Sequence, residues 1–136
     1  MVTVHLVDTS AWIEWLRDTG SAACRAVHRL RQDPISIAVT QPVQLEVRAG
    51  TPTVSLARVD RLLSAAIQLD VDPRIDFDVA AELYRAARAA GCPVRSLMDC
   101  LIGAVAIRTG AALVHQDRDF DTLASVAADL TCVREL

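Results

Sequence analysis

The sequence predicts an α/β fold on a parallel sheet, and three observations carry that expectation. Short apolar or β-branched runs alternate with longer segments of helical periodicity along the chain. Ser, Thr, Asp or Pro stands where several of the helical segments begin, and Gly where several end. The composition is 52% hydrophobic but only 4% aromatic, which suits a core of Ala, Val, Leu and Ile formed by helices packed closely on a sheet. At 136 residues the chain is expected to be a single domain, 1–136.

The apolar run Val4 to Val7 reads as a buried strand that ends at Asp8. Thr9 and Ser10 are N-cap residues for a helix from Ala11 to near Gly20, with Trp12, Trp15 and Leu16 on one stripe. A second helix runs from Ser21 to about Gln32, and Asp33-Pro34 stops it. Ile35 to Val39 is the second strand. Thr40 or Gln41 then caps a helix with Pro42 in its first turn.

Glu46 lies on that helix, and its i±3 and i±4 neighbours, Pro42, Val43, Ala49 and Gly50, carry no charge. It is therefore expected to face inward, where a carboxylate needs a cation. After the loop Thr51-Pro52-Thr53, Leu56, Val59, Leu62 and Leu63 have helical spacing. Ala66 to Val71 reads as a third strand, closed by Asp72-Pro73. Asp76 is the expected N-cap of the next helix, which Gly91 ends.

From Leu97 to Ile107 a helix is apolar nearly all round, so it should be buried, and Asp99 is its only charge. Ser96 and Asp99 have the spacing of a capping box. Gly110 closes this helix, Ala111 to His115 is a strand, and Gln116 to Asp121 follows as an acidic loop. Leu130 to Val133 is a candidate edge strand. If the strands are parallel, Asp8 and Asp117 emerge on the same sheet edge, where ligands bind in open α/β sheets.

Several function classes drop out. No segment is apolar over the roughly 18 residues of a membrane span, and no basic stretch precedes the first apolar run as in a signal peptide. A soluble cytoplasmic protein is expected. Cys24, Cys92, Cys100 and Cys132 show neither C-x-x-C spacing nor a His at a zinc-finger interval, so no structural metal site is expected on them, and they read as buried, reduced thiols and not as disulfides. The net charge of −3 argues against a nucleic-acid binder. Yet all 14 basic residues are Arg, the side chain that grips phosphate in a bidentate fork. Arg17, Arg95 and Arg118 each lie near one of the acidic motifs and are the candidate phosphate contacts.

Four or five acids gathered in one apolar crevice are unstable without cations. Oxygen-only donors select hard ions, so Mg²⁺, or Mn²⁺ in its place, is expected as the cofactor. Such ions support in-line attack of water on a phosphodiester. A phosphoaspartate receiver domain would need a Lys, which the chain lacks. The Asp-x-Asp pair of dehalogenase-like phosphatases is also missing after Asp8.

The ordered pieces Val7-Asp8-Thr9-Ser10-Ala11-Trp12, Glu46 with Gly50, Met98-Asp99-Cys100-Leu101-Ile102-Gly103-Ala104 and Asp117-Arg118-Asp119-Phe120 resemble the acidic motifs of PIN-domain nucleases. In length and order they resemble the VapC toxins of toxin–antitoxin pairs in particular, over essentially the whole chain. The resemblance implies a three-layer α/β/α sandwich on a mostly parallel sheet and a Mg²⁺-dependent endoribonuclease acting on RNA. It also implies a homodimer inhibited by a small cognate antitoxin. By position Asp8, Glu46, Asp99 and Asp117 match the catalytic, metal-binding quartet, and Asp119 matches an assisting acid. Gly103 stands where Ala is usual, and His115-Gln116 where Thr or Ser often precedes the last acids. The rival readings are a non-catalytic binding module on the same fold and a housekeeping nuclease without an antitoxin.

Overall fold

In the computed structural model, which describes residues 3–133 and 136, the first apolar run forms strand β1 (His5–Val7). Asp8 itself caps helix α1 (Thr9–Leu16), so the helix starts earlier than Thr9 and Ser10 as caps would allow. Ser21 caps α2 (Ala22–Gln32) by accepting the Cys24 N–H at 3.1 Å. Pro34–Ser36 then forms a 3-10 turn, which shortens strand β2 to Ile37–Val39. Helices α3 (Gln41–Ala49) and α4 (Thr53–Ser64) follow, and Pro42 sits in the first turn of α3.

Strand β3 covers only Ile67–Gln68 of the expected Ala66 to Val71, because it lies at the sheet edge and pairs with β2 alone. Helices α5 (Asp76–Ala89) and α6 (Leu97–Thr109) precede strand β4 (Ala112–Val114). Gly110 adopts the left-handed conformation, φ 71°, that closes α6 and turns the chain into β4. Helix α7 (Arg118–Val126) and strand β5 (Cys132–Val133) complete the described elements.

Helix α7 replaces the acidic loop expected at Gln116 to Asp121. Asp117 caps it by accepting the Asp119 N–H at 3.0 Å, and Phe120 and Leu123 are the buried i, i+3 pair. Those cap and spacing signals are present in the sequence, but the run of Asp masks them.

The sheet order is β3-β2-β1-β4-β5, and every pairing is parallel. Crossovers from β1 to β2 and from β2 to β3 run in one direction across the sheet. Those from β3 to β4 and from β4 to β5 run in the other. Right-handed connections therefore put α1 to α4 on one face and α5 to α7 on the opposite face. The result is a three-layer sandwich, whose direction of winding reverses between β1 and β4. Leu6, Val7, Leu113 and Val114 are fully buried at that centre, flanked by Trp12, Ile102, Phe120 and Leu123.

Three further expectations change. Asp76 is not a cap but a fully buried side chain that meets Arg108 from α6. Among the thiols Cys24 and Cys100 are buried and Cys132 is partly covered, whereas Cys92 is exposed in the turn after α5. The Trp stripe divides: Trp12 is core, while Trp15 is half-buried beneath Arg31, whose guanidinium carbon lies 4.9 Å from the ring centroid.

Gly103 packs inside α6, where a Cβ would meet Leu83, Leu123 and Leu130 at 3.7 to 3.9 Å, ordinary contact distances. Gly103→Ala should accordingly raise stability by roughly 0.5–1 kcal/mol, through the lower entropy of the unfolded chain and better helix propensity. Urea denaturation measures this, and a destabilised variant would mean that those leucines cannot yield.

Candidate active site

The crevice at the winding reversal is built by four separate segments. β1 ends in Asp8 and β4 runs alongside it in parallel, with Val7 opposite Val114. The chain therefore leaves the sheet at Asp8 and at His115 on the same edge. α3 returns Glu46 to this edge, and the first turn of α6 brings Asp99.

Asp8 is buried. Its Oδ2 accepts the N–H of Ser10 at 2.9 Å and the Ser10 hydroxyl at 2.6 Å. Ser10 Oγ in turn accepts the Gln116 N–H at 3.0 Å, which ties the β1 turn to the β4 turn. Asp8 Oδ1 is buried with no hydrogen-bond partner among the described residues. Glu46 is half-buried, and its Oε1 accepts the Thr9 hydroxyl at 2.8 Å.

Asp99 keeps the capping geometry expected of it, since its N–H donates to Ser96 Oγ at 3.2 Å, while its carboxylate faces the other acids. Asp99, Asp117 and Asp119 each offer an oxygen within 4.8 Å of the others. The Asp117 N–H donates to His115 Nδ1 at 3.1 Å. The imidazole thus holds the backbone at the turn where a Ser or Thr was the family expectation, and Gln116 Oε1 accepts the Ala23 N–H at the start of α2.

Burial raises the carboxyl of Asp8 to about 6, with the charge of Glu46 adding to it against the hydrogen bonds from Ser10. Asp99 is raised to about 7, by burial first and then by Asp8, Asp117, Glu46 and Asp119 in turn. All five predicted acids therefore share one electrostatic neighbourhood. Arg95, expected at a phosphate, instead lies on the cluster: its Nε donates to Asp119 Oδ2 at 3.0 Å and its Nη2 to Asp117 Oδ1 at 3.1 Å. Its 22- and 24-residue separation from those partners leaves no trace in local spacing.

The candidate donors are carboxylate oxygens: those of Asp99, Asp117 and Asp119 lie within 4.8 Å of one another, and Asp8 adds a buried oxygen with no hydrogen-bond partner among the described residues, a set whose chemistry fits a hard divalent cation. The raised values have a consequence for stability. Asp8 and Asp99 hold their protons more tightly folded than unfolded, where the ordinary value is 3.8. Their contribution is thus greatest below about pH 4 and is lost as pH climbs through about 6 and 7. Melts of the metal-free chain between pH 5 and 8 should show this decline, and added Mg²⁺ should stabilise more at pH 8 than at pH 5. A metal effect independent of pH would contradict it.

Beside Glu46 a cleft of about 420 Å³ opens between α1, α3 and α4. Ile13, Leu16, Arg17, Val47 and Val59 are among the residues that line it. No pattern in the linear sequence marks this cleft, although Arg17, which lines it, is one of the candidate phosphate contacts. Arg118 is exposed on the first turn of α7.

A PIN-domain family model matches residues 5–126. Ribonuclease VapC11 of Mycobacterium tuberculosis and VapC ribonuclease Mb1587 of Mycobacterium bovis are each 46% identical over 123 residues, 89% of this chain and 92% of theirs. Among solved structures, VapBC-5 of M. tuberculosis, described as a member of the VapBC family of toxin–antitoxin systems, shares the fold with a TM-score of 0.67 and 24% identity. That match covers 98% of this chain and 99% of that one. Fold, acidic crevice and sequence agree, and the chain belongs to the PIN-domain family and is of the VapC type.

Proposed function

We propose that this chain is a divalent-metal-dependent endoribonuclease and the toxin of a toxin–antitoxin pair. The observation that carries the reading is the buried, unpartnered Asp8 Oδ1 in a crevice shared with Glu46, Asp99, Asp117 and Asp119. Relatives at 46% identity that bear the name ribonuclease support the activity. Asp8, Glu46, Asp99 and Asp117 are the proposed catalytic and metal-holding residues, and Asp119 assists. Mg²⁺ is the proposed ion, with Mn²⁺ as a substitute.

A divalent ion held by Asp8, Glu46, Asp99 and Asp117 would offset the clustered negative charge and would supply Lewis-acid polarisation of a phosphoryl oxygen. Ser10 and Thr9 hold the carboxylates of Asp8 and Glu46 in place, and His115 holds the turn that presents Asp117. An ionised carboxylate of the cluster accepts a proton from the water whose oxygen bonds to phosphorus, and the ribose oxygen leaves with the electron pair of the broken P–O bond and takes a proton from solvent. Arg17, in the cleft, and Arg118, at the mouth of α7, take flanking phosphates.

The proposed setting is the cytoplasm, and no described helix is long and apolar enough to cross a membrane. The working unit is a single domain over residues 1–136 that forms a homodimer. Its regulator is a small antitoxin whose apolar segment enters the cleft beside Glu46 and whose Arg reaches the acids. Trp12, being core, is not part of that docking surface, whereas Ile13 and Leu16 are.

The test is cleavage of RNA by purified chain. Activity should require Mg²⁺ or Mn²⁺, stop with EDTA and not depend on Zn²⁺. Activity that persists in EDTA overturns the metal-dependent mechanism. Expression of the chain alone should arrest growth, and co-expression with the product of the adjacent reading frame should relieve it. A harmless chain that cleaves RNA would be a housekeeping nuclease, and one that binds RNA without cleaving it a binding module.

A further inference from the structure

We propose that the turn between α1 and α2 is a second cation site, for a borderline-soft divalent ion such as Zn²⁺, formed by Asp18, Cys24 and His28. The three residues offer a carboxylate oxygen, a thiol sulfur and an imidazole nitrogen, all within 4.8 Å of one another. That mixed set differs in chemistry from the oxygen-only crevice. Oxygen donors select Mg²⁺, whereas sulfur and nitrogen donors select Zn²⁺ and its neighbours.

Each donor is placed by local structure. Cys24 and His28 are one helical turn apart on α2, so both side chains rise on the same face. Ser21 starts that helix by accepting the Cys24 N–H. Asp18 follows α1 with φ 52°, a left-handed turn that Asp tolerates, and it lies across from the first turn of α2. Its Oδ1 is 3.4 Å from His28 Nε2 and 3.9 Å from Cys24 Sγ.

Both contacts are hydrogen-bond pairs in the metal-free chain, and both lie close to the spacing of a coordination polyhedron. Ligands bound tetrahedrally at about 2.0 Å for N and O and 2.3 Å for S lie roughly 3.3 to 3.5 Å apart. The Asp18–His28 separation already has that length. Asp18, with a side chain 85% exposed, needs only a small movement towards the buried Cys24. His28, 56% exposed, leaves a path for the ion and a fourth position open to water. The linear spacing hides the site because Cys24-x-x-x-His28 is a helical interval rather than a zinc-finger one.

The proton balance gives the proposal its own readout. Trp15 Nε1 donates to His28 Nδ1 at 3.4 Å, so the ring proton sits on Nε2, facing Asp18. Coordination through Nε2 moves that proton to Nδ1, which can then no longer accept from the indole. The Cys24 thiol releases its proton to solvent. Binding should therefore alter the emission of Trp15 while α1 and α2 become clamped together. The site lies beyond the far end of α1 from Asp8, a helix of about 12 Å, and nothing in it depends on the nuclease reading.

The experiment is a Co²⁺ titration of the untagged, reduced chain in excess Mg²⁺, followed by displacement with Zn²⁺. One equivalent of Co²⁺ should produce a thiolate charge-transfer band, which Zn²⁺ abolishes as it changes the tryptophan emission. Cys24→Ser should remove the band, and Cys92→Ser should leave it. His28→Ala, at an exposed position that does not threaten the fold, should weaken binding at least about tenfold and silence the Zn²⁺-dependent emission change. Absence of the band in the wild-type chain, its survival in Cys24→Ser, or unchanged affinity in His28→Ala overturns the proposal.

Discussion

Asp99→Asn and Asp8→Asn chains should fold normally and cleave RNA on the order of a thousandfold more slowly than wild type, as expected for losing several kcal/mol of cation-borne stabilisation. Each substitution removes a carboxylate charge with almost no change of shape. At position 8 an Asn oxygen can still accept from the Ser10 N–H and hydroxyl, so the cap of α1 survives. At position 99 the structural hydrogen bond uses the backbone N–H and Ser96, not the carboxylate.

The same substitutions should make the metal-free chain more stable above neutral pH. Asp8 and Asp99 are raised to about 6 and about 7 by burial and by neighbouring acids, so their ionisation opposes folding. Lower activity with equal or higher melting temperature is the signature of a site and not of a scaffold residue. A folded Asp99→Asn chain that cleaves at the wild-type rate would remove Asp99 from the machinery.

The second large effect lies away from the crevice. Arg108 Nε and Nη2 both donate to the carboxylate of Asp76, at 3.0 to 3.1 Å, and Nη2 also donates to the carbonyl of Asp70 at 2.6 Å. Asp76 is fully buried and additionally accepts the Asp72 N–H. The pair thus locks the start of α5 and the loop after β3 onto the last turn of α6.

Arg108→Met keeps the length of the side chain but leaves a buried carboxylate without its counter-charge. It should cost about 3–5 kcal/mol, measured by urea denaturation. Asp76→Asn should cost less, because the partly exposed Arg108 can turn to solvent. If Arg108→Met cost under about 1 kcal/mol, the pair would behave as a surface ion pair and its locking role would fall.

The contrast between these two acids shows how far sequence reading reaches. Asp8 and Asp76 both precede apolar helical runs, but Asp8 reads as the end of a strand and Asp76 as the cap of a helix. Asp99 is legible because it is the only charge from Leu97 to Ile107, a stretch apolar nearly all round. Glu46 was legible because no local cation answers it. Alternation of short apolar runs with capped helices disclosed the parallel sheet, since those patterns depend only on neighbours within a few positions. Helix α7 was lost because Asp at a cap and Asp in a loop look alike until Phe120 and Leu123 find a core to face.

Partners distant in the chain were decided by the tertiary fold alone. No local pattern tells which of 14 Arg residues meets a given acid. Folding brings Arg108 to Asp76 across 32 positions and Arg95 to Asp119 across 24. It also brings Cys24 and His28 to Asp18, and leaves Asp8 with a buried Oδ1 that accepts no hydrogen bond from the described residues. Linear sequence sets where charges interrupt apolar patterns, because those are local choices of residue. Whether an interruption becomes a lock or a site depends on which counter-charge the packed layers deliver to it.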